Sequence, residues 1–132
     1  MGMKLFDKAK EYAAEAKRRW GDTEAWKESR RREEKRTGGE SREVGAGMMD
    51  IFRRFGLLRG EDPTAAEAQA LVAELKQFIT DHYYECTTEI LRGLGQMYVQ
   101  DQRFAHSIDH AGGLGTAQLA SAAIAHWCEN NP

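Results

Sequence analysis

YYECTTEILRGLGQMYVQDQRF, residues 83–104, decides how the rest of the chain is read. Ile90, Leu91, Leu94, Met97 and Tyr98 recur at the three- and four-residue spacing that puts side chains on one side of an α-helix. The segment also holds four aromatic residues, a cysteine and a methionine, and Gly93 and Gly95 interrupt it. Each glycine inside a helix lowers stability by about 1 kcal/mol relative to alanine. A helix that keeps two of them beside so much aromatic surface has a use for the missing side chains. Next to Leu94 and Tyr98 they leave a groove in which another helix, or a large flat ligand, can approach the backbone.

The same period holds outward from this segment. Leu5, Ala9, Tyr12, Ala13, Ala16 and Trp20 form one stripe, closed by Gly21. Asp22 or Thr23 can cap a second helix through WKESRRREEKR, with Gly38-Gly39 expected to end it. Val44, Met48, Ile51, Phe52 and Phe55 make a third stripe. Asp62-Pro63-Thr64 opens a long fourth helix, with Thr64 and Glu67 at capping-box spacing. Its inner face carries Ala68, Leu71, Val72, Leu75, Phe78, Ile79 and His82. Thr87 or Thr88 can cap the glycine-bearing helix, and a turn at Asp101 leads to a helix with Phe104 and Ile108. Gly112, Gly113 and Gly115 precede a last helix with Leu119, Ala123, Ile124 and Trp127. The expectation is a single all-α domain of six to seven helices over residues 1–132, without linker or repeat.

Composition narrows the function. Charged residues are 30% and hydrophobic residues 41% of the 132, which suits a folded soluble domain with one real core. The net charge of −2 gives no overall attraction to nucleic acid or to a membrane surface. No apolar run approaches the ~20 residues that span a bilayer. MGMKLFDKAKEY lacks the apolar stretch of a secretory signal, so a cytoplasmic location is expected. Phe6 stands where a myristoylation motif needs Ser or Thr. From Lys17 to Arg36 there are nine basic and five acidic residues, with Trp20 and Trp26 as the bulky apolar groups. Burial there has to offset roughly 1–2 kcal/mol of backbone entropy per residue. Residues 1 to about 50 are therefore expected to form a mobile lid, and 51–128 a helical core with the cleft.

Most candidate constellations read as structure. His106 and His110 share a helix face, but HSIDH lacks the glutamate of HExxH and no third ligand is evident, so no metal is expected. Cys86 and Cys128 stand 42 residues apart without CxxC spacing, which supports neither a zinc site nor a redox motif. His82 and Cys86 lie four apart. One reading is a histidine packed on a buried thiol; the other is a polar handle on a pocket wall, with a lowered thiol pKa if His82 is charged. RRREEKR has the interleaved glutamates of a solvated face. No nucleophile elbow, P-loop or dinucleotide fingerprint is present, and no residues argue for catalysis or a cofactor.

RWGDTEAWKES (19–29) and HYYECTTEILRGLGQMYVQDQRF (82–104) resemble the two signature blocks of the TipAS antibiotic-recognition domain, the thiostrepton-binding effector family of certain MerR-type activators. The resemblance runs from about Phe6 to about Ala125, and IFRRF, with Phe55, fits between the blocks. It implies a globin-like fold without haem and a broad cleft for macrocyclic thiopeptides or similarly bulky natural products. It also implies an N-terminal part that closes over the ligand. Carried over by position, the cleft would include Phe55, His82, Tyr83, Cys86, Leu94, Gly95, Met97, Tyr98 and Phe104, with Trp20 and Trp26 from the lid.

The family's activators carry a DNA-reading helix-turn-helix domain ahead of this one, and the chain opens almost at the effector domain. A stand-alone binder that does not contact nucleic acid is expected. The family's drug-capturing cysteine falls where Gly93 stands, so the resemblance leaves Cys86 as the nearby thiol and favours non-covalent binding. TGGESREVGAG replaces a stretch that in relatives is a continuous polar helix. The expected function is sequestration of a macrocyclic peptide antibiotic. The alternative is a protein-interaction or effector-sensing module that works with a separate transcription regulator.

Overall fold

The computed structural model describes residues 23–132. Among them are six helices and no strand: α1 Glu24–Glu34, α2 Gly38–Leu57, α3 Ala66–His82, α4 Thr88–Gln100, α5 Gln102–Gly112 and α6 Thr116–Asn130. The stripe read over residues 5–20 lies outside the described residues. No helix among those described is long and apolar enough to cross a membrane.

Capping chemistry sets the boundaries, and in two places it differs from expectation. Gly38-Gly39 do not end the helix before them. α1 stops at Glu34, and Thr37 starts α2 with a reciprocal pair of hydrogen bonds. The Glu40 N–H donates to the Thr37 hydroxyl at 3.1 Å, and the Thr37 N–H donates to the Glu40 carboxylate at 3.3 Å. That capping box satisfies donors the helix start would otherwise leave open, and it outweighs the low helix preference of two glycines. TGGESREVGAG is therefore helical from Gly38 onward, and the boundary placed at residue 50 falls inside α2. The second difference is Thr64. Its N–H and hydroxyl both donate to Asp62, at 2.9 and 2.8 Å, so the side chain is occupied in a turn and caps nothing. α3 starts two residues later, at Ala66, and its N-cap residue Ala65 makes no side-chain cap. Of Thr87 and Thr88 it is Thr87 that caps α4, accepting from the Ile90 N–H at 3.1 Å. Asp101 ends α4 and caps α5 through the Arg103 N–H at 3.0 Å.

The core is built where α4 lies along α6 and α2 crosses α5, with α3 packed beside α2 and α6. Phe52 and Phe55 of α2, Val72, Leu75 and Ile79 of α3, Leu91 of α4, Ile108 of α5 and Ile124 of α6 fill it. Each side chain of this kind contributes about 1.5–3 kcal/mol when fully buried. Two approaches leave no room for a side chain. A methyl group on Gly56 would run into the carbonyl oxygen and Cα of Gly112, and one on Gly95 would sit 2.8 Å from Cγ2 of Ile124. α6 buries small residues, Ala117, Ala120 and Ala123, among its neighbours. Across the α3–α6 contact, the Gln69 carboxamide donates to the carbonyls of Pro63 and Ala123 at 2.8 and 3.0 Å.

These contacts separate two kinds of glycine in one helix. Gly56→Ala is expected to destabilise the domain by about 1–3 kcal/mol, because backbone has to move to admit the methyl group. At Gly45, also inside α2, a methyl group would have nothing within 4 Å of it. Gly45→Ala is therefore expected to stabilise by about 0.5–1 kcal/mol through helix preference alone. Urea denaturation of the two variants beside the wild type checks both signs.

Candidate ligand cleft

α4 is two-faced. Leu91, Gly95 and Tyr98 point into the core, while Ile90, Gly93, Leu94 and Met97 border an open cleft of about 940 Å³. Helical geometry accounts for this: positions 93 and 95 are two residues apart, about 200° around the axis, and cannot face the same way. A methyl group on Gly93 would meet nothing within 4 Å, so its bare backbone opens the cleft. Gly95 serves the seat on α6 instead. The single groove expected from both glycines is thus corrected: they have opposite jobs.

Three other elements complete the walls. The N-terminal half of α1 contributes Ala25, Trp26 and Ser29, with Thr23 capping that helix through the Trp26 N–H at 3.1 Å. The link between α3 and α4 contributes Tyr83 and Tyr84. Gln100, Asp101, Gln102 and Phe104, around the junction of α4 and α5, close the far end, with Gln96 alongside. The surface is mostly apolar, with neutral carboxamides at its edge. Asp101 is the carboxylate in the lining, and Arg103 holds it through Nη2 at 2.7 Å and Nε at 3.1 Å.

The structure thus brings Trp26, Tyr83, Leu94, Met97 and Phe104 together, and places the other expected residues elsewhere. Trp20 lies outside the described residues. Phe55 is completely buried, and Tyr98 is 6% exposed. The rings of Phe104, Tyr98, Phe52 and Phe55 make a continuous aromatic file with successive centroids 6.4, 5.4 and 6.5 Å apart. Only its outer member reaches the cleft. Tyr98 and Phe55 thus back the wall without forming it, because their positions fall on the core faces of α4 and α2. His82 stacks on Phe78, ring centroids 4.4 Å apart, and is not among the lining residues.

Cys86 is 1% exposed. Its N–H donates to the Thr80 hydroxyl at 3.1 Å, and its Sγ faces the Thr87 carbonyl. Burial pushes this thiol up to about 11, opposite in direction to the lowered pKa considered for a charged His82 neighbour. Cys128 is also buried, with its pKa raised by burial. Tyr84 is pushed up to about 12, again by burial, and stays neutral across the physiological range. Among the described residues no group of three or more His, Cys, Asp or Glu side chains is arranged to hold a metal ion. Gln96 and Gln100 were missed from the expected site, though with Gly93 and Met97 they recur three and four residues apart on one face of α4.

The chain spans about half the length of the curated relatives it matches. It is 35% identical over 123 residues to the HTH-type transcriptional activator mta of Bacillus subtilis, covering 90% of this chain and 46% of the relative. It is 30% identical over 124 residues to the HTH-type transcriptional activator TipA of Streptomyces coelicolor, covering 92% of this chain and 49% of the relative. Among solved structures it resembles Streptomyces lividans TipAS, described in complex with nosiheptide as part of a thiopeptide antibiotic multidrug resistance system. That likeness has a TM-score of 0.79 at 29% identity over 93% of this chain and 87% of the other. The family model of the TipAS antibiotic-recognition domain matches residues 12–127. With the sequence match, the helical architecture and the structural likeness in agreement, the chain belongs to the TipAS antibiotic-recognition domain family.

Proposed function

We propose that the cleft between α1 and α4 binds a thiopeptide or a similarly bulky macrocyclic antibiotic without forming a covalent bond, and lowers its free concentration in the cytoplasm. The observation that carries this reading is the open, largely apolar cleft of about 940 Å³, in a fold shared with a relative solved with nosiheptide bound. That volume is at the upper end of small-molecule sites, which are roughly 300–1,000 Å³. Affinity comes from apolar and aromatic contact. A nanomolar complex needs about −12 kcal/mol net, after the ordering of mobile parts has been offset. α1 buries none of its own residues, which supports its role as the movable wall, with Trp26 as its anchor. The neutral carboxamides of Gln96, Gln100 and Gln102 match the amide groups of a macrocyclic peptide.

Binding rather than reaction follows from the same lining. Gly93 offers no nucleophile, and both thiols are buried and protonated at neutral pH. A second reading draws on the relatives, which are HTH-type activators of about twice this length: the cleft senses its ligand on behalf of a DNA-binding regulator. Co-elution with such a regulator, with the ligand altering that association, favours the second reading.

Titration of the purified protein with a thiopeptide panel, followed by tryptophan fluorescence and intact mass, tests the first reading. A saturable change with unaltered compound recovered is expected; spectra unmoved across the panel overturn it. Trp26→Ala is expected to weaken binding by about 1–3 kcal/mol. Gly93→Phe, which fills open space, is expected to reduce affinity at least about tenfold with no loss of stability. Because the pKa of Cys86 is raised, its thiolate is scarce below about pH 11. Maleimide treatment of the folded protein at pH 7 is therefore expected to leave the mass unchanged, and both cysteines are expected to react in denaturant.

A further inference from the structure

We propose that Arg32 and Arg36 are positioning residues for ligand capture: they latch the C-terminal end of α1 to the end of α3 and thereby aim Trp26 across the cleft. The inference rests on the reading of that cleft as a binding site. Since α1 has no fully buried residue, its direction depends heavily on specific contacts. Arg32 Nη1 donates to the carbonyl oxygen of Thr80 at 2.6 Å. Thr80 lies in the last turn of α3, which ends at His82; carbonyls there lack a partner in their own helix, and the helix dipole favours a cation. Arg36 follows α1 in the link to α2. Its guanidinium carbon stands 5.3 Å from the centre of the Tyr83 ring, within range of cation–π attraction. The Arg36 side chain is only 11% exposed, so that attraction is weakly competed by water.

Carboxylates preset both guanidinium groups. Glu28 accepts from Arg32 Nε at 2.9 Å, and Glu33 accepts from Arg36 Nη1 at 2.6 Å. The other oxygen of Glu33 accepts from the Ser41 hydroxyl at 2.6 Å, which ties the latch to the first turns of α2. Trp26 stands six residues before Arg32, roughly 9 Å along the axis, so a pivot fixed at Arg32 determines where the indole falls. Tyr83 couples the two events, because the ring that carries Arg36 also lines the cleft. A ligand that packs on Tyr83 and a helix that docks on Tyr83 therefore change each other's affinity by the same factor.

The test uses the full chain and two readouts. Amide hydrogen exchange without any added compound reports the latch; nosiheptide, the compound bound by the structural relative, reports capture. In the Arg32→Gln/Arg36→Gln variant, exchange over residues 24–34 is expected to accelerate about tenfold, with residues 66–130 unchanged and affinity for nosiheptide about tenfold lower. Tyr83→Leu is expected to loosen residues 24–34 in the same way, and Tyr83→Phe, which keeps the ring, to leave their exchange as in the wild type. Unchanged exchange over 24–34 in the double variant overturns the latch, whatever the cleft binds. Faster exchange that extends through 66–130 overturns it too, since the arginines then support the core. Faster exchange confined to 24–34 with full affinity overturns the positioning role. Wild-type protein that ignores nosiheptide while its exchange responds as expected sinks the positioning role through the binding reading, and leaves the contact between α1 and α3 standing.

Discussion

The structure depends on two places where a helix meets its neighbour at a glycine, with no room for a side chain at that position. Gly56 lets the backbone of α2 rest against Gly112 of α5, and Gly95 lets α4 settle onto Ile124 of α6. At such distances one methylene decides whether two helices fit, because protein interiors are packed to the density of organic crystals. These seats position α4 and α5 together, and the junction between those helices is one end of the cleft. The walls of the site are in this sense placed by residues that take no part in it. The aromatic file behind Phe104 adds a second tie, running from the cleft surface through Tyr98 and Phe52 to the fully buried Phe55.

Against that rigid base, α1 is attached by chemistry of another kind. It carries several charges and has no fully buried residue. Its acidic and basic side chains pair with one another three and four residues apart, as Glu28 does with Arg31 and Arg32. Such exposed pairs are worth only a few tenths of a kcal/mol each. These pairs lie within α1 and steady the helix itself; its tie to α3 includes the hydrogen bond from Arg32 to the Thr80 carbonyl.

Much of the fold was legible because helical periodicity is a strong signal and nothing in the chain competes with it. The apolar stripes over α2, α3, α4 and α6 name most of the core, including Phe52, Leu75, Leu91 and Ile124. Helix starts were less legible. A capping box at Thr37 turned two glycines from an end into a beginning, and an Asp62 turn occupied the Thr64 hydroxyl. Both outcomes depend on which of several competing local hydrogen bonds a side chain makes, and spacing does not rank them. The site was half legible. The resemblance, carried over by position, drew Tyr98, Cys86 and Phe55 into the expected cleft, yet burial is settled by which helix face meets a neighbour. Residue type alone does not carry that information. Trp26, Tyr83, Leu94, Met97 and Phe104 do reach the cleft, and Gln96 and Gln100 follow from the face that Gly93 and Met97 define.

The two-faced character of α4 has a consequence for how such a protein can diversify. Residues 91, 95 and 98 hold the helix in place, while residues 93, 96, 97 and 100 meet whatever enters the cleft. Substitutions at 93, 96 and 100 change shape, polarity and reach at the cleft surface away from the helix seat, whereas Met97 also packs against the core. Fold maintenance and the character of the cleft surface thus fall largely on different positions of one thirteen-residue segment.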